Sequence, residues 1–523
     1  MKKITKLSFI LFCCLITATA LTTAGFAQAQ AGKMSYTVSF PEPASNGLHV
    51  KLETSGWQQD TLNFKMPKWM PGYYQIMDYA DEIVSISAED SKGKKLTLDK
   101  INKNTWQITG VKNKAFILNY DIKTSKQFVA NSYVDHEHAY LINASTFFYV
   151  DGFINMPVAV KVEMNEAWSK ITTGLTLEKG KTNEFTAPDF DILYDCPILI
   201  GNLEELPSFE VGGKLHRFVG YKLGDFDHEG FMQKLKLMVE SAVAIIGDIP
   251  YKEYTFIGIG PGRGGIEHLN NTTVSFDGNR LNSEAAMNGV LNFLAHEYFH
   301  HYNVKRIRPL ELGPFDYDQG SKTNLLWVSE GLSVYYEYLV IKRAGLASIE
   351  TLFEDFEHNI NAVENNPGKN YQSLVEASYN TWKDGPFGTQ REEKGKTISY
   401  YQKGPVVGLL LDFAIRNATK NEKSLDDVMQ NVYYRYYKEL GRGFTDAEFE
   451  QTCETVANTL LTEIFQYIYT TKPLDYDKYL EMAGLKLEAN PAESDPEKKV
   501  YKLKQIENPT ELQKEIFQSW IGE

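Results

Sequence analysis

Hydrophobic and polar residues alternate in short runs over the first third of the chain. Residues 61–66 and 83–87 are examples, and turn-forming stretches such as Ser45-Asn46-Gly47 separate the runs. A period of two along the chain predicts β-strands, and short turns between strands indicate antiparallel pairing. We therefore predict an antiparallel β domain at residues 30–206.

The pattern changes after residue 230. Residues 231–246 place apolar side chains at helical spacing, residues 254–259 form a continuous apolar run typical of a buried strand, and long helical stretches come after them. Ser424 and Thr445 are expected to be N-caps, because each is followed three residues later by an acidic residue. The prediction is an α+β multidomain protein whose second domain, at residues 207–485, is mainly α-helical.

The C-terminal region has a different composition. Residues 491–499 are polar and contain proline, which is typical of a linker or an exposed loop. The segment at residues 486–523 is too short for another independent domain.

Composition limits the classes of function. Of the 523 residues, 43% are hydrophobic and 23% are charged, which excludes a mainly disordered or fibrous protein. The net charge of −14 disfavours binding to nucleic acid or to an anionic membrane through overall charge. Four cysteines are too few for a disulfide scaffold, and the pairing of Cys196 with Cys453 stays open at this point.

The N-terminus has the pattern of a targeting segment. Lys2 and Lys3 precede an apolar run at residues 7–20, and Ala27-Gln28-Ala29 offers a small-x-small cleavage site. We expect a signal peptide at residues 1–29 and a mature protein that is periplasmic or secreted. No later segment is apolar enough to predict a transmembrane span, and the sequence leaves the oligomeric state open.

One segment carries the strongest chemical signal. His296 and His300 lie four residues apart in a stretch without glycine or proline, so a helix would present both imidazoles on one face, where they can bind one Zn²⁺. Glu297 lies beside them and suits a general base acting on water. The alternative is an exposed helix with two histidines. Apolar neighbours throughout residues 293–299 weaken it, because buried His and Glu need partners.

A catalytic zinc site needs a third protein ligand and an open position. We select Glu330, which lies in an apolar stretch where an unpaired acid would be costly. Glu337, Asp316 and Asp318 are rival ligands, and spacing does not eliminate them.

Two further segments are candidates for substrate contact. Residues 258–265 are rich in glycine, and residues 266–276 lack a helical pattern, so a dinucleotide-binding loop is excluded. We instead predict a turn at Gly264 and Gly265 that a substrate backbone can approach, with Glu267 at its end. Tyr400 and Tyr401 precede an apolar helix, and their residue types favour packing as much as catalysis.

Several motifs occur together in one order and resemble the glycyl aminopeptidase family, metallopeptidase family sixty-one of the gluzincin zinc peptidases. They are residues 67–73 (Pro-Lys-Trp-Met-Pro-Gly-Tyr), 265–268 (Gly-Ile-Glu-His), 296–309 (from His-Glu-Tyr-Phe-His to Arg-Pro), 327–331 (Trp-Val-Ser-Glu-Gly) and 401–404 (Tyr-Gln-Lys-Gly). The combination is far more specific than any single motif. Tyr302 stands where family members commonly carry tryptophan, and residues 486–523 are too few for the complete PDZ domain that many members have.

The resemblance implies a thermolysin-like catalytic domain behind an N-terminal β domain. It assigns one Zn²⁺ to His296, His300 and Glu330, and the general base to Glu297. By the same analogy Glu267 would hold the free α-amine of a peptide substrate, and Tyr401 would donate to the developing oxyanion.

The functional hypothesis is a zinc aminopeptidase that releases N-terminal residues from peptides. A preference for Gly or Ala as the first residue is implied by the resemblance alone. A secreted zinc endopeptidase is the first alternative. The second, from another class, is a protein-binding module with a vestigial zinc site, and the presence of Glu297 argues against it.

Overall fold

The structure is a computed structural model that describes residues 32–124, 126–492 and 495–523. The predicted signal peptide at residues 1–29 lies outside the described residues. Within them, no helix combines the length and apolarity that crossing a membrane requires.

The N-terminal part of the chain is a β domain with one short helix, α1 (Phe190–Tyr194). Its strands are β1 (Lys33–Ser39), β2 (Gly47–Ser55), β3 (Thr61–Lys65), β4 (Ile83–Asp90), β5 (Lys95–Leu96), β6 (Leu98–Asn102), β7 (Thr105–Thr109), β8 (Phe116–Lys123), β9 (Tyr133–Val134), β10 (His138–Leu141), β11 (Tyr149–Val150), β12 (Val158–Glu163), β13 (Lys170–Thr173), β14 (Thr176–Leu177), β15 (Glu184–Ala187) and β16 (Ile198–Gly201).

These strands form three sheets around one hydrophobic core. The largest has the order β14-β15-β12-β1-β2-β8-β4-β5, and the others are β13-β16-β10-β9 and β11-β3-β7-β6. Alternate residues of β2 are buried, as its period of two predicts. Pairing is antiparallel except between β1 and β12, which run parallel. The predicted β domain is confirmed, and this parallel pair corrects the expectation of a purely antiparallel one.

The second part of the chain places helices against a small sheet. The strands are β17 (Glu204–Glu205), β18 (Phe209–Val211), β19 (Lys214–Gly220), β20 (Glu253–Gly258), β21 (Gly265–Glu267) and β22 (Asn271–Val274). Strands β19, β20 and β22 run parallel, and β21 pairs antiparallel with β22 at the edge of the sheet. The glycine-rich turn therefore leads into an edge strand.

Helices make up most of this domain, as the sequence predicts, and the longest of them have 16 to 19 residues. The helices are α2 (His228–Ile246), α3 (Glu284–Phe299), α4 (Leu332–Arg343), α5 (Ile349–Glu364), α6 (Leu374–Tyr379), α7 (Thr381–Asp384), α8 (Tyr400–Ala418), α9 (Leu425–Val432), α10 (Asp446–Ala457), α11 (Thr462–Tyr469) and α12 (Tyr476–Leu480), with π-helical turns at Trp327–Gly331 and Tyr433–Glu439. The capping boxes at Ser424 and Thr445 are both present.

The C-terminal region differs from the prediction of a linker at residues 491–499. It forms a hairpin of β23 (Leu485–Ala492) and β24 (Asp495–Gln505), followed by α13 (Glu511–Ile521). Two side chains of α5, four residues apart, form hydrogen bonds to the backbone of β24. The Asn361 amide donates to the carbonyl of Tyr501 and accepts from its N–H, and Glu357 accepts from the N–H of Leu503. A polar strand is thereby held against a helix.

The two cysteines within the described residues, Cys196 and Cys453, are unpaired. Cys196 lies in the core of the β domain and Cys453 in the core of the helical domain. Burial raises the pKa of both thiols, so neither is activated as a thiolate.

Candidate active site

Three buried side chains converge between the two domains. His296 and His300 project from the C-terminal end of α3, and Glu330 projects from the π-helical turn before α4. The two Nε2 atoms are 2.9 Å apart, and Glu330 Oε2 lies 3.3 Å from His300 Nε2 and 3.8 Å from His296 Nε2. The structure therefore brings the three predicted ligands together, whereas Asp316 and Asp318 belong to other contacts.

The surroundings of the two imidazoles show why this cluster fits a cation. His300 Nδ1 lies 2.7 Å from the carbonyl oxygen of Asn303, and His296 Nδ1 lies 2.8 Å from Glu337 Oε2. A carbonyl oxygen only accepts, so we infer that His300 Nδ1 carries a hydrogen and that His300 Nε2 is the nitrogen that would bind a metal. Two imidazole Nε2 atoms and a carboxylate face one another in a buried space, and Zn²⁺ suits this N₂O donor set.

Two glycines allow the turn that carries Glu330 to approach α8 closely. A Cβ built on Gly331 would lie 2.7 Å from the Cα of Gly404, and one on Gly404 would lie 2.6 Å from the Cα of Gly331. The turn that carries Glu330 and the first turn of α8 therefore pack backbone against backbone. This contact brings Tyr401, three residues before Gly404, to the Glu330 carboxylate, where its hydroxyl donates to Oε2 at 2.9 Å.

Glu297 is held beside the edge strand. A Cβ on Gly265 would lie 2.8 Å from both Cδ and Oε1 of Glu297, so the glycine provides the space that this carboxylate occupies. Glu297 Oε2 is buried and has no hydrogen-bond partner. Burial raises the pKa of Glu297 well above its usual value, and the Glu267 and Glu330 carboxylates add to the effect. A bound cation would oppose that rise, which suits a carboxylate that must both take and return a proton.

Burial lowers the pKa of the neighbouring His296, whereas it raises that of Glu297. It lowers the pKa of His296 to about 3, and the neighbouring His300 adds to the shift. The His296 ring is therefore neutral at physiological pH. Burial alone would also lower the pKa of His300, but the Glu330 carboxylate raises it to about 10, so a metal would have to displace a proton from this second imidazole.

Glu267 lies at the end of β21, against the β domain. A Cβ on Gly72 would lie 2.9 Å from Glu267 Oε2, and the φ of Gly72 is +94°, so glycine is needed there for both space and conformation. Glu267 Oε1 has no hydrogen-bond partner and lies 4.0 Å from the ammonium of Lys305. Lys305 itself pairs with Asp195 of the β domain at 2.8 Å.

A cavity of about 350 Å³ opens beside these groups. Both domains contribute to its wall, which is largely apolar and includes Tyr73, Phe128, Phe293, Glu297, Phe387 and Tyr401. Gly264 and Gly265 border it, and the φ of +89° at Gly264 explains the need for glycine in the turn. Glu267 lies behind this wall, at Gly72, rather than in it.

Sequence reasoning missed Tyr74 and Asn303 at this site, and it considered Glu337 only as a rival metal ligand. Tyr74 donates to Glu330 Oε1 at 3.0 Å, Glu337 lies against His296, and the backbone carbonyl of Asn303 accepts from His300. The sequence does contain a signal for two of them: Tyr74 directly follows the motif at residues 67–73, and Glu337 lies two helical turns after Glu330. Asn303 acts through its backbone, which no residue type reveals.

The fold and the site together define a zinc metallopeptidase with a β domain in front of a helical catalytic domain. Family models confirm this class: the Peptidase M61 N-terminal domain matches residues 35–202, and the M61 glycyl aminopeptidase domain matches residues 289–407. Together the two models account for more than half of the chain. The chain belongs to the M61 glycyl aminopeptidase family and is a zinc aminopeptidase. No curated protein sequence matches it.

Solved structures share this architecture. An aminopeptidase N family protein from Idiomarina loihiensis aligns with a TM-score of 0.82 at 24% identity, covering 87% of this chain and 79% of that one. Yeast LTA4 hydrolase aligns with a TM-score of 0.53 at 14% identity, covering 86% of this chain and 72% of that one. These similarities confirm the predicted α+β fold, with its β domain followed by a helical peptidase domain.

Proposed function

We propose that the chain releases a small N-terminal residue, Gly or Ala, from peptides by attack of an activated water on the first peptide bond. The observation that carries the reaction type is the buried convergence of His296, His300 and Glu330 beside Glu297. The preference for Gly or Ala is supported by the family to which the chain belongs.

His296, His300 and Glu330 would hold one Zn²⁺ per chain. When bound, such an ion supplies Lewis acidity, which polarises the peptide carbonyl and lowers the pKa of water to about 7. Glu297 takes the proton of the attacking water and later delivers it to the leaving amine. Tyr401 supplies a hydroxyl donor for the developing oxyanion, and because burial raises the pKa of Tyr401 well above its usual value, the hydroxyl keeps its proton.

We further propose that Glu267 binds the α-amine. Its Oε1 lacks a hydrogen-bond partner, and a buried carboxylate gains strongly from an ammonium. An ammonium would have to reach Glu267 past Gly72, the wall residue that lies against its carboxylate and carries no side chain. The Lys305 ammonium lies 4.0 Å from Glu267 and is itself paired with Asp195 at 2.8 Å, which leaves the Glu267 carboxylate for a second ammonium.

Glu267→Ala tests this role. Hydrolysis of a free-amine alanyl amide should fall far more than cleavage of an N-acetylated peptide, because only the first needs an amine anchor. Glu253→Ala, at an exposed glutamate of β20, is the matched control and should leave both rates unchanged. An equal loss on free and blocked substrates would remove Glu267 from this role and favour the endopeptidase alternative.

Export is a separate proposal. It is supported by the basic, apolar and small-residue pattern of residues 1–29. Mass spectrometry of the protein from the producing cell should find an N-terminus close to residue 30 in the exported fraction. An intact N-terminus in that fraction would contradict cleavage.

A further inference from the structure

The β domain reaches the cluster of His296, His300 and Glu330 through the hydroxyl of Tyr74. Tyr74 lies in the segment that connects β3 to β4, and its hydroxyl donates to Glu330 Oε1 at 3.0 Å. Both side chains are buried, with Tyr74 only 6% exposed. Burial, with the neighbouring Glu330 carboxylate, raises the pKa of Tyr74 well above its usual value, so its hydroxyl remains a donor.

The two oxygens of Glu330 have different surroundings. Oε2 faces the imidazoles, 3.3 Å from His300 Nε2, and also accepts from Tyr401. Oε1 is engaged by Tyr74. Oε2 is therefore the oxygen that faces the two imidazoles, while Oε1 accepts a hydrogen bond from a tyrosine of the β domain.

This difference matters for the coordination of a metal. A free carboxylate can bind a cation through both oxygens and fill two coordination positions. A catalytic zinc needs one position left for water. A hydrogen bond that engages one oxygen holds the carboxylate in one orientation and favours binding through the other oxygen alone.

We propose that Tyr74 is a positioning residue that keeps Glu330 a one-oxygen ligand, so that the β domain completes the metal site of the catalytic domain. Zinc binding and the docking of the two domains are then thermodynamically linked. The proposal concerns the metal site and not the substrate, so it stands for an aminopeptidase and for an endopeptidase alike.

The test compares Tyr74→Phe with Tyr79→Phe. The first removes one hydroxyl and keeps the ring, which lies edge-on to Trp382. Tyr79 is a matched control: it is buried in the same connecting segment, and its hydroxyl donates to the Ala130 carbonyl, away from the cluster. Three quantities are measured for each: zinc affinity by chelator competition, the visible spectrum of the Co²⁺-substituted protein, and the melting temperature.

Tyr74→Phe should lower zinc affinity by about tenfold or more, the usual effect of losing a hydrogen bond to a metal ligand. Its Co²⁺ absorption should weaken, because absorption falls as the coordination number rises when Glu330 binds through both oxygens. Tyr79→Phe should change the melting temperature alone. If Tyr74→Phe keeps the wild-type zinc affinity and Co²⁺ spectrum and merely melts earlier, as the control does, Tyr74 is a packing residue and the proposal is wrong.

Discussion

Gly265→Ala should displace Glu297, the proposed catalytic base, without unfolding the protein. The new Cβ would lie 2.8 Å from Cδ and Oε1 of Glu297 and 3.0 Å from Cζ of Phe293. Carbon atoms in contact prefer about 3.5–4.0 Å, so the Glu297 carboxylate must retreat by roughly 0.7 Å. The end of a glutamate side chain moves easily, and the cost therefore appears in catalysis rather than in stability.

The size of the effect depends on the role of Glu297. A displacement of about 1 Å at a reacting group can cost 100-fold in rate. We expect kcat/KM to fall between about 10-fold and 100-fold, which corresponds to about 1.4–2.7 kcal/mol of transition-state stabilisation. The free energy of unfolding should change by no more than about 1 kcal/mol.

The assay is hydrolysis of an alanyl chromogenic amide by variants with equal zinc content. Gly289→Ala is the matched control, because Gly289 lies on the exposed side of α3, where a Cβ meets no atom within 4 Å. That control should keep full activity and be more stable by about 0.5–1 kcal/mol. Full activity of Gly265→Ala would refute the placement of Glu297 as the base.

Three further changes test the site. Glu297→Gln should retain zinc and lower kcat by about 100-fold to 10,000-fold; loss of zinc would instead make Glu297 part of the metal site. Tyr401→Phe should lower kcat by about 100-fold to 1,000-fold with little change in KM, and an effect confined to KM would contradict oxyanion stabilisation. Burial alone would raise the pKa of Asp195, but the Lys305 ammonium lowers it to about 2, below the value of about 3.9 expected when the chain is unfolded. Stability from this pair is therefore complete above about pH 4 and is lost as the pH falls through about 2. In urea unfolding of zinc-free protein, the difference in the free energy of unfolding between wild type and Asp195→Asn should become smaller from about pH 5 to about pH 3. A difference that stays constant with pH would refute the coupling between Asp195 and Lys305.

The ligands on α3 could be predicted because their geometry is local. Four-residue spacing on a helix fixes the distance between His296 and His300 whatever the rest of the chain does. Glu330 could be selected only by an energetic argument, because an unpaired acid among apolar residues is costly. Its rival Glu337 instead lies against the Nδ1 atom of His296, at 2.8 Å.

The contacts between domains could not be predicted from the sequence. The Tyr74 hydroxyl reaches an acid 256 residues further along the chain, and Gly72 touches Glu267 across the same boundary. Such approaches depend on how two separately folded cores meet, which no pattern within either core specifies. The hairpin of β23 and β24 was not predicted for a similar reason, because β24 is held in place by backbone hydrogen bonds to side chains of α5, which is distant in sequence.

The most direct test of the proposed function is hydrolysis of Gly and Ala chromogenic amides by the purified protein, with N-acetylated amides and a chelator as controls. We predict turnover of the free-amine substrates only, loss of turnover with chelator, and recovery when Zn²⁺ is added back. Turnover that persists in the metal-free protein would contradict the role of His296, His300 and Glu330. Cleavage inside an unstructured protein without release of N-terminal residues would contradict the proposed aminopeptidase specificity.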